Sequence, residues 1–365
     1  MHIYDGYHWG LMGSAVNDLL NNKLAYKESF VHYGILTTVL HTLFYKITDS
    51  IFSIFLFTSI IYSVSISILA IFIKKFTNNN YSFLFIYLMF FFQPFTIFPW
   101  HTYIIFFLLL VGIFLYFKKK PVTYFFFGFI LQMIYLASDS FKFCSYLILI
   151  TTVFFIYFEN KGRRLFIKNS FLLLCGYFLP FLIFMIILIF KGNFDAWSKI
   201  NIANISLNSS GKTLFVFIYE FIINLLKNFY YKPNYIFYII LNISCLLYIF
   251  LFITKKINNK DILFISIITI FLNYLLISKF LSFRIFSSVI IGVITMSYLL
   301  YKSKNHDLKQ IILLFIIILA PFSNPFEKGE ANRNYLNKSV MELSFSNPSS
   351  RYFKYMRFDE DVWHH

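Results

Sequence analysis

Residues 102–138 read TYIIFFLLLVGIFLYFKKKPVTYFFFGFILQMIYLAS. Two apolar runs, 102–117 and 122–138, flank the basic break Lys118-Lys119-Lys120. Neither run alternates apolar with polar residues, which argues against strands of a membrane β-barrel. A hydrocarbon core about 30 Å thick takes roughly 17–25 residues of helix to cross. Both runs approach that length and read as two membrane helices joined by a water-facing break.

The pattern recurs. Further apolar runs occupy 51–73, 82–99, 143–158, 170–190, 235–254, 262–278, 285–301 and 310–322. The expected fold is all-α, a polytopic membrane protein with about ten transmembrane helices. Composition agrees. Of 365 residues, 59% are apolar and only 13% charged, and mean hydropathy is +0.70. A soluble domain carries roughly a quarter charged residues, so a soluble multidomain chain is excluded. Cys144, Cys175 and Cys245 each lie in an apolar run, which suggests neither a disulfide framework nor a metal site.

The net charge of +16 is explained by where the cations fall. Lys74 and Lys75, Lys118 to Lys120, Lys161 to Lys168, Lys255 to Lys260, and Lys302 to Lys309 occupy alternate breaks. The intervening short breaks hold only Lys142, Lys279 and Arg284. The positive-inside rule places the first set in the cytoplasm. Segments 1–50, 191–234 and 323–365 then face outside. The charge is a topological signal and no nucleic-acid partner is expected. This orientation also leads to the expectation of a further membrane helix upstream of residue 1, because nothing before residues 1–50 would carry them across.

Three regions follow from this map. Residues 1–50 form an outer segment with a juxtamembrane amphipathic helix. Residues 51–322 form the transmembrane bundle, with an outer loop at 191–234. Residues 323–365 form a short polar outer tail. No acid lies at mid-membrane in a clear span, where ion-coupled transporters place ionisable groups. That favours chemistry or recognition at the outer face.

The outer segment begins Tyr4-Asp5-Gly6-Tyr7-His8-Trp9-Gly10 and continues through an amphipathic 11–22. Then come Ala25-Tyr26-Lys27-Glu28-Ser29-Phe30, His32-Tyr33-Gly34 and a helix-like run, Ile35 to Ile47. Asp5 and His8 share a face at helical spacing. A solvated headgroup-level loop with Tyr and Trp anchors accounts for the same residues. The segment resembles the first outer loop of the GT-C class of membrane glycosyltransferases, which includes bacterial protein mannosyltransferases and aminoarabinose transferases. That class places an acid soon after its first membrane helix. An aromatic-basic-acidic-x-Phe stretch follows, and then a juxtamembrane helix. The usual Pro is Ala25 here. Asp139, in Ser138-Asp139-Ser140, stands where the class has a second outer acid.

The resemblance implies transfer of a sugar from a polyprenyl-phosphate donor to a glycan, lipid or protein acceptor. The site would face the periplasm or exterior of a bacterial cytoplasmic membrane, in envelope polysaccharide biosynthesis. It casts Asp5, Asp139 and Glu28 as catalytic carboxylates that orient or deprotonate an acceptor hydroxyl. Arg284, Lys279 and Lys142 are cations on the translocated side and candidate ligands for the lipid phosphate. His8 and His32 are candidate metal or substrate contacts, with a divalent metal ion as the candidate cofactor. Membrane lipids are further expected partners. Two other readings compete: an O-antigen-type polysaccharide polymerase, and a lipid-linked-sugar flippase or transporter. The lack of arginine in 191–234 disfavours the first, and the lack of charge in mid-membrane disfavours the second.

Overall fold

The computed structural model describes residues 6–29, 31, 33–50, 52–92, 101–138, 141–159, 162–200, 223, 234–273, 289–304, 310 and 313. Its named elements are all helices: α1 (Gly6–Leu20), α2 (Ile35–Thr48), α3 (Phe52–Phe76), α4 (Asn79–Phe92), α5 (His101–Tyr116), α6 (Pro121–Ala137), α7 (Lys142–Glu159), α8 (Arg163–Phe190), α9 (Asn234–Ile253), α10 (Lys260–Leu272) and α11 (Gly292–Lys302). A short 3₁₀ turn, Val289–Ile291, leads into α11. Among the described residues strand-like pairing is limited to one isolated bridge, Ala25 with Ser29. The chain is all-α here, as its apolar runs predict.

Local chemistry sets the helix ends. At the quoted break, Lys119 takes a left-handed conformation (φ 51°) and Pro121 opens α6, where its missing N–H costs no helical bond. At the far end of α8, Gly192 adopts φ 66°. The Gly192 N–H donates to the Ile189 carbonyl and the Asn193 N–H to the Leu188 carbonyl, 3.0 and 3.1 Å. This pair of bonds is the Schellman stop, which needs glycine at its left-handed position. The Asn259 side chain caps α10 by accepting from the N–H groups of Asp261 and Ile262.

Three helices are long and apolar enough to cross a membrane: α3 with 25 residues, α7 with 18 and α8 with 28. This corrects the expectation of about ten, among the described residues. The runs described along their length form helices, but α5, α6 and the stretch Phe237–Ile253 of α9 are shorter than a span, and the runs 82–99, 262–278 and 285–301 lie partly outside the described residues. At 1.5 Å per residue, α5 (16 residues) rises about 24 Å and α6 (17 residues) about 25 Å, less than a full core. The run 310–322 lies outside the described residues apart from positions 310 and 313, and so does the tail 323–365. Of the outer loop 191–234, residues 201–222 and 224–233 lie outside as well. In the N-terminal segment, α1 begins at Gly6, earlier than the amphipathic run at 11–22.

The core of the fold is the α6–α8 pair. Gly128 of α6 lies against the backbone of Leu173 and Tyr177, and Gly176 of α8 lies against the backbone of Phe125. Each helix thus presents a glycine where the other's backbone comes closest, the small-residue contact that lets membrane helices approach. Around this pair, Tyr116 stacks on Phe264 at 4.0 Å and Phe127 is fully buried.

A Cβ on Gly128 or Gly176 would overlap partner backbone, whereas one on Gly162 meets nothing within 4 Å. Gly128→Ala and Gly176→Ala are each expected to destabilise the protein by about 1–3 kcal/mol. Gly162→Ala should leave the melting temperature near wild type. Thermal unfolding in detergent checks all three.

Candidate functional site

The two ends of the bundle are chemically different. At the first, three basic breaks converge. Lys119 Nζ lies 2.5 Å from Glu159 Oε1 and 3.2 Å from Asp261 Oδ1. The Tyr116 hydroxyl donates to the same Glu159 oxygen at 3.1 Å, and Lys260 Nζ reaches the Phe158 carbonyl at 3.4 Å. One lysine therefore joins the α5–α6 turn, the end of α7 and the start of α10. The sequence places these residues in separate breaks, but nothing in it pairs them. Replacing Lys119 with Met leaves two half-buried carboxylates facing each other without their cation. The expected loss is about 1–3 kcal/mol. A double-mutant cycle with Glu159→Gln reads the coupling.

At the opposite end, Gly34 takes φ 155° and packs onto the backbone of Ala137, and Thr37 Oγ1 donates to the Ala137 carbonyl at 2.8 Å. Asn193 Nδ2 donates to the Ala25 carbonyl at 2.9 Å. These bonds fasten the 24–29 turn and α2 onto α6 and α8. Between them lies a cavity of about 440 Å³, within the range of small-molecule sites. Its walls are Leu36 and Val39 of α2, Phe129 and Met133 of α6, and Ile183, Phe184 and Ile187 of α8. Ile183 and Ile187 are each 48% exposed, so the cavity is a groove open along the side of α8. Its polar rim is Lys23, Lys191 and Asn193. Lys23 is paired with Asp18 at 2.7 Å. Lys191 makes no ion pair among the described residues. Asn193 Oδ1 is buried and accepts no hydrogen bond there. The arrangement suits an amphiphile with an apolar chain and an anionic head.

The residues singled out from the sequence fare unevenly. Glu28 lies in the 24–29 turn, and its Oε2 accepts the Leu24 N–H at 2.8 Å. Lys142 opens α7 with its ammonium 5.2 Å from the centre of the Tyr135 ring. His8 falls in α1, but its side chain lies outside the described residues. Asp5, His32, Asp139, Lys279 and Arg284 also lie outside them. Among the described residues no group of three or more His, Cys, Asp or Glu could hold a metal ion. The groove residues Lys191 and Asn193 were not among the sequence candidates. Their signal is the Lys-Gly-Asn stop after a long apolar run.

No family model, curated protein or solved structure matches the chain. The GT-C resemblance and the glycosyltransferase activity it implies are accordingly corrected. No family model supports them. Among the described residues three helices, not the expected ten, have spanning length, and no metal-ligating cluster is found there. The physical reason is that the resemblance rests on a short aromatic and acidic stretch. Its one described acid, Glu28, caps the turn in which it sits.

One buried group at this end is sensitive to pH. His41 of α2 is fully enclosed, edge-on to Phe57 at 5.1 Å, and neither ring nitrogen has a hydrogen-bond partner. Burial lowers its pKa from 6.5 to about 3. The folded protein keeps His41 neutral while the unfolded chain protonates it. Stability from this group is complete above pH 6.5 and falls as pH drops toward 3, by about 1.4 kcal/mol per unit. His41→Phe should remove that component of the acid loss, measured by unfolding between pH 7 and pH 5 against wild type.

Proposed function

We propose that the protein is a membrane-embedded binder of a phosphate-bearing lipid, held in the groove between α2, α6 and α8. The supporting observation is the cavity itself, with an apolar wall open along α8 and the Lys191 ammonium, free of any carboxylate among the described residues, at its rim. A lipid chain lies against Ile183 and Ile187, and its phosphate meets Lys191. The orphaned Asn193 oxygen takes a hydroxyl or amide donor from the headgroup. A long-chain alkyl phosphate has the required chemistry.

In this reading α3, α7 and α8 cross the membrane. The shorter apolar helices, α5 and α6 among them, complete the embedded bundle. The end carrying Lys119 faces the cytoplasm under the positive-inside rule, and the groove opens toward the outer leaflet. The membrane is the cytoplasmic one.

Binding of a fluorescent long-chain alkyl phosphate and of the corresponding uncharged alcohol to detergent-solubilised protein tests this. Lys191→Ala should weaken the phosphate by about tenfold and leave the alcohol unchanged. Ile183→Trp, which fills the groove, should weaken both. Wild-type protein that binds neither, or variants that bind both like wild type, would sink the reading.

A further inference from the structure

The helix α8 has more residues than a bilayer core needs. Residues 171–190 alone rise about 30 Å, the full hydrocarbon thickness. When that stretch crosses, the turns from Arg163 to Ser170 stand in the headgroup layer. One face of those turns carries Arg163, Arg164, Ile167, Lys168 and Phe171, which line a shallow depression of about 540 Å³. At about 100° per residue these positions share one side of the helix. The three cations make no ion pair among the described residues. Glu159, the nearest acid along the chain, is held by Lys119. Further along the same face, Phe178 and Leu182 are exposed. Tyr157 and Phe158 at the end of α7 are exposed as well, as aromatic residues are at a membrane–water interface.

Cations over an apolar stripe, at headgroup depth, complement one kind of partner. We propose that this face of α8 is a binding site for an anionic phospholipid of the adjoining leaflet. Its phosphate is held by Arg164 and Lys168, with Arg163 beside them. Its acyl chains run along Phe171 and Phe178. Arginine supplies the paired donors that grip a phosphate, and each cation near the surface favours an anionic lipid by about fivefold. The site stands at the opposite end of α8 from the groove and does not depend on it.

The test uses the full chain in detergent, titrated with short-chain phosphatidylglycerol, short-chain phosphatidylcholine or inorganic phosphate. Native mass spectrometry and melting temperature are the readouts. Wild type should hold phosphatidylglycerol at least about fivefold more tightly than phosphatidylcholine and gain no comparable stability from inorganic phosphate. The triple variant Arg163→Gln, Arg164→Gln, Lys168→Gln should lose the preference. Arg163→Lys with Arg164→Lys should keep most of it. Equal binding of the two lipids by wild type, an unchanged preference in the glutamine variant, or equal stabilisation by free phosphate overturns the proposal. Where the triple variant does not fold, the single variants Arg164→Gln and Lys168→Gln decide the matter, each expected to weaken the preference by about fivefold.

Discussion

The close approach of α6 and α8 is the constraint on which the rest depends. Gly128 and Gly176 each leave room for the other helix's backbone. In a lipid environment apolar burial gives little drive for helices to associate, so shape has to supply it. Once the two helices are locked, the α6 face bearing Phe129 and Met133 stands beside the α8 face bearing Ile183 and Ile187. The groove is the space left where α2 closes over them, and the Thr37 and Asn193 bonds hold that cover in place.

The two ends use polar chemistry differently. At one end Lys119 gathers Glu159 and Asp261, and the charges largely satisfy one another. At the other, Lys191 and the Asn193 oxygen stay without protein partners among the described residues, beside an apolar wall. A satisfied network fixes structure, whereas an unsatisfied rim around a cavity is available to a ligand. This contrast is why the groove end is read as the functional one.

Much of the fold is legible in the residues. Runs such as 102–117 and 122–138 become α5 and α6 nearly end to end, because apolar length and a basic break are local signals. The number of spans is not legible in the same way. A run's apolarity does not say whether its helix reaches bilayer thickness, and α10 stops at Leu272 after 13 residues. Pairing is less visible still. Lys119 meets a carboxylate 40 positions away, and Gly128 meets a backbone more than 40 away, contacts that no spacing rule announces. For the site, the sequence drew attention to acids near the N-terminus. The groove instead takes its rim from the end of α8, where a Lys-Gly-Asn stop looks like mere punctuation.

The unequal lengths of the partnered helices have a consequence for the surrounding lipid. α6 rises about 25 Å and its neighbour α8 about 42 Å. In the membrane-embedded reading, residues 171–190 of α8 match a core about 30 Å thick while α6 falls about 5 Å short of it, so the bilayer thins beside α6 at a cost of a fraction of a kcal/mol per ångström. In that reading the protein carries a thickness gradient around its circumference, and the membrane beside it is thinnest on the side of α5 and α6.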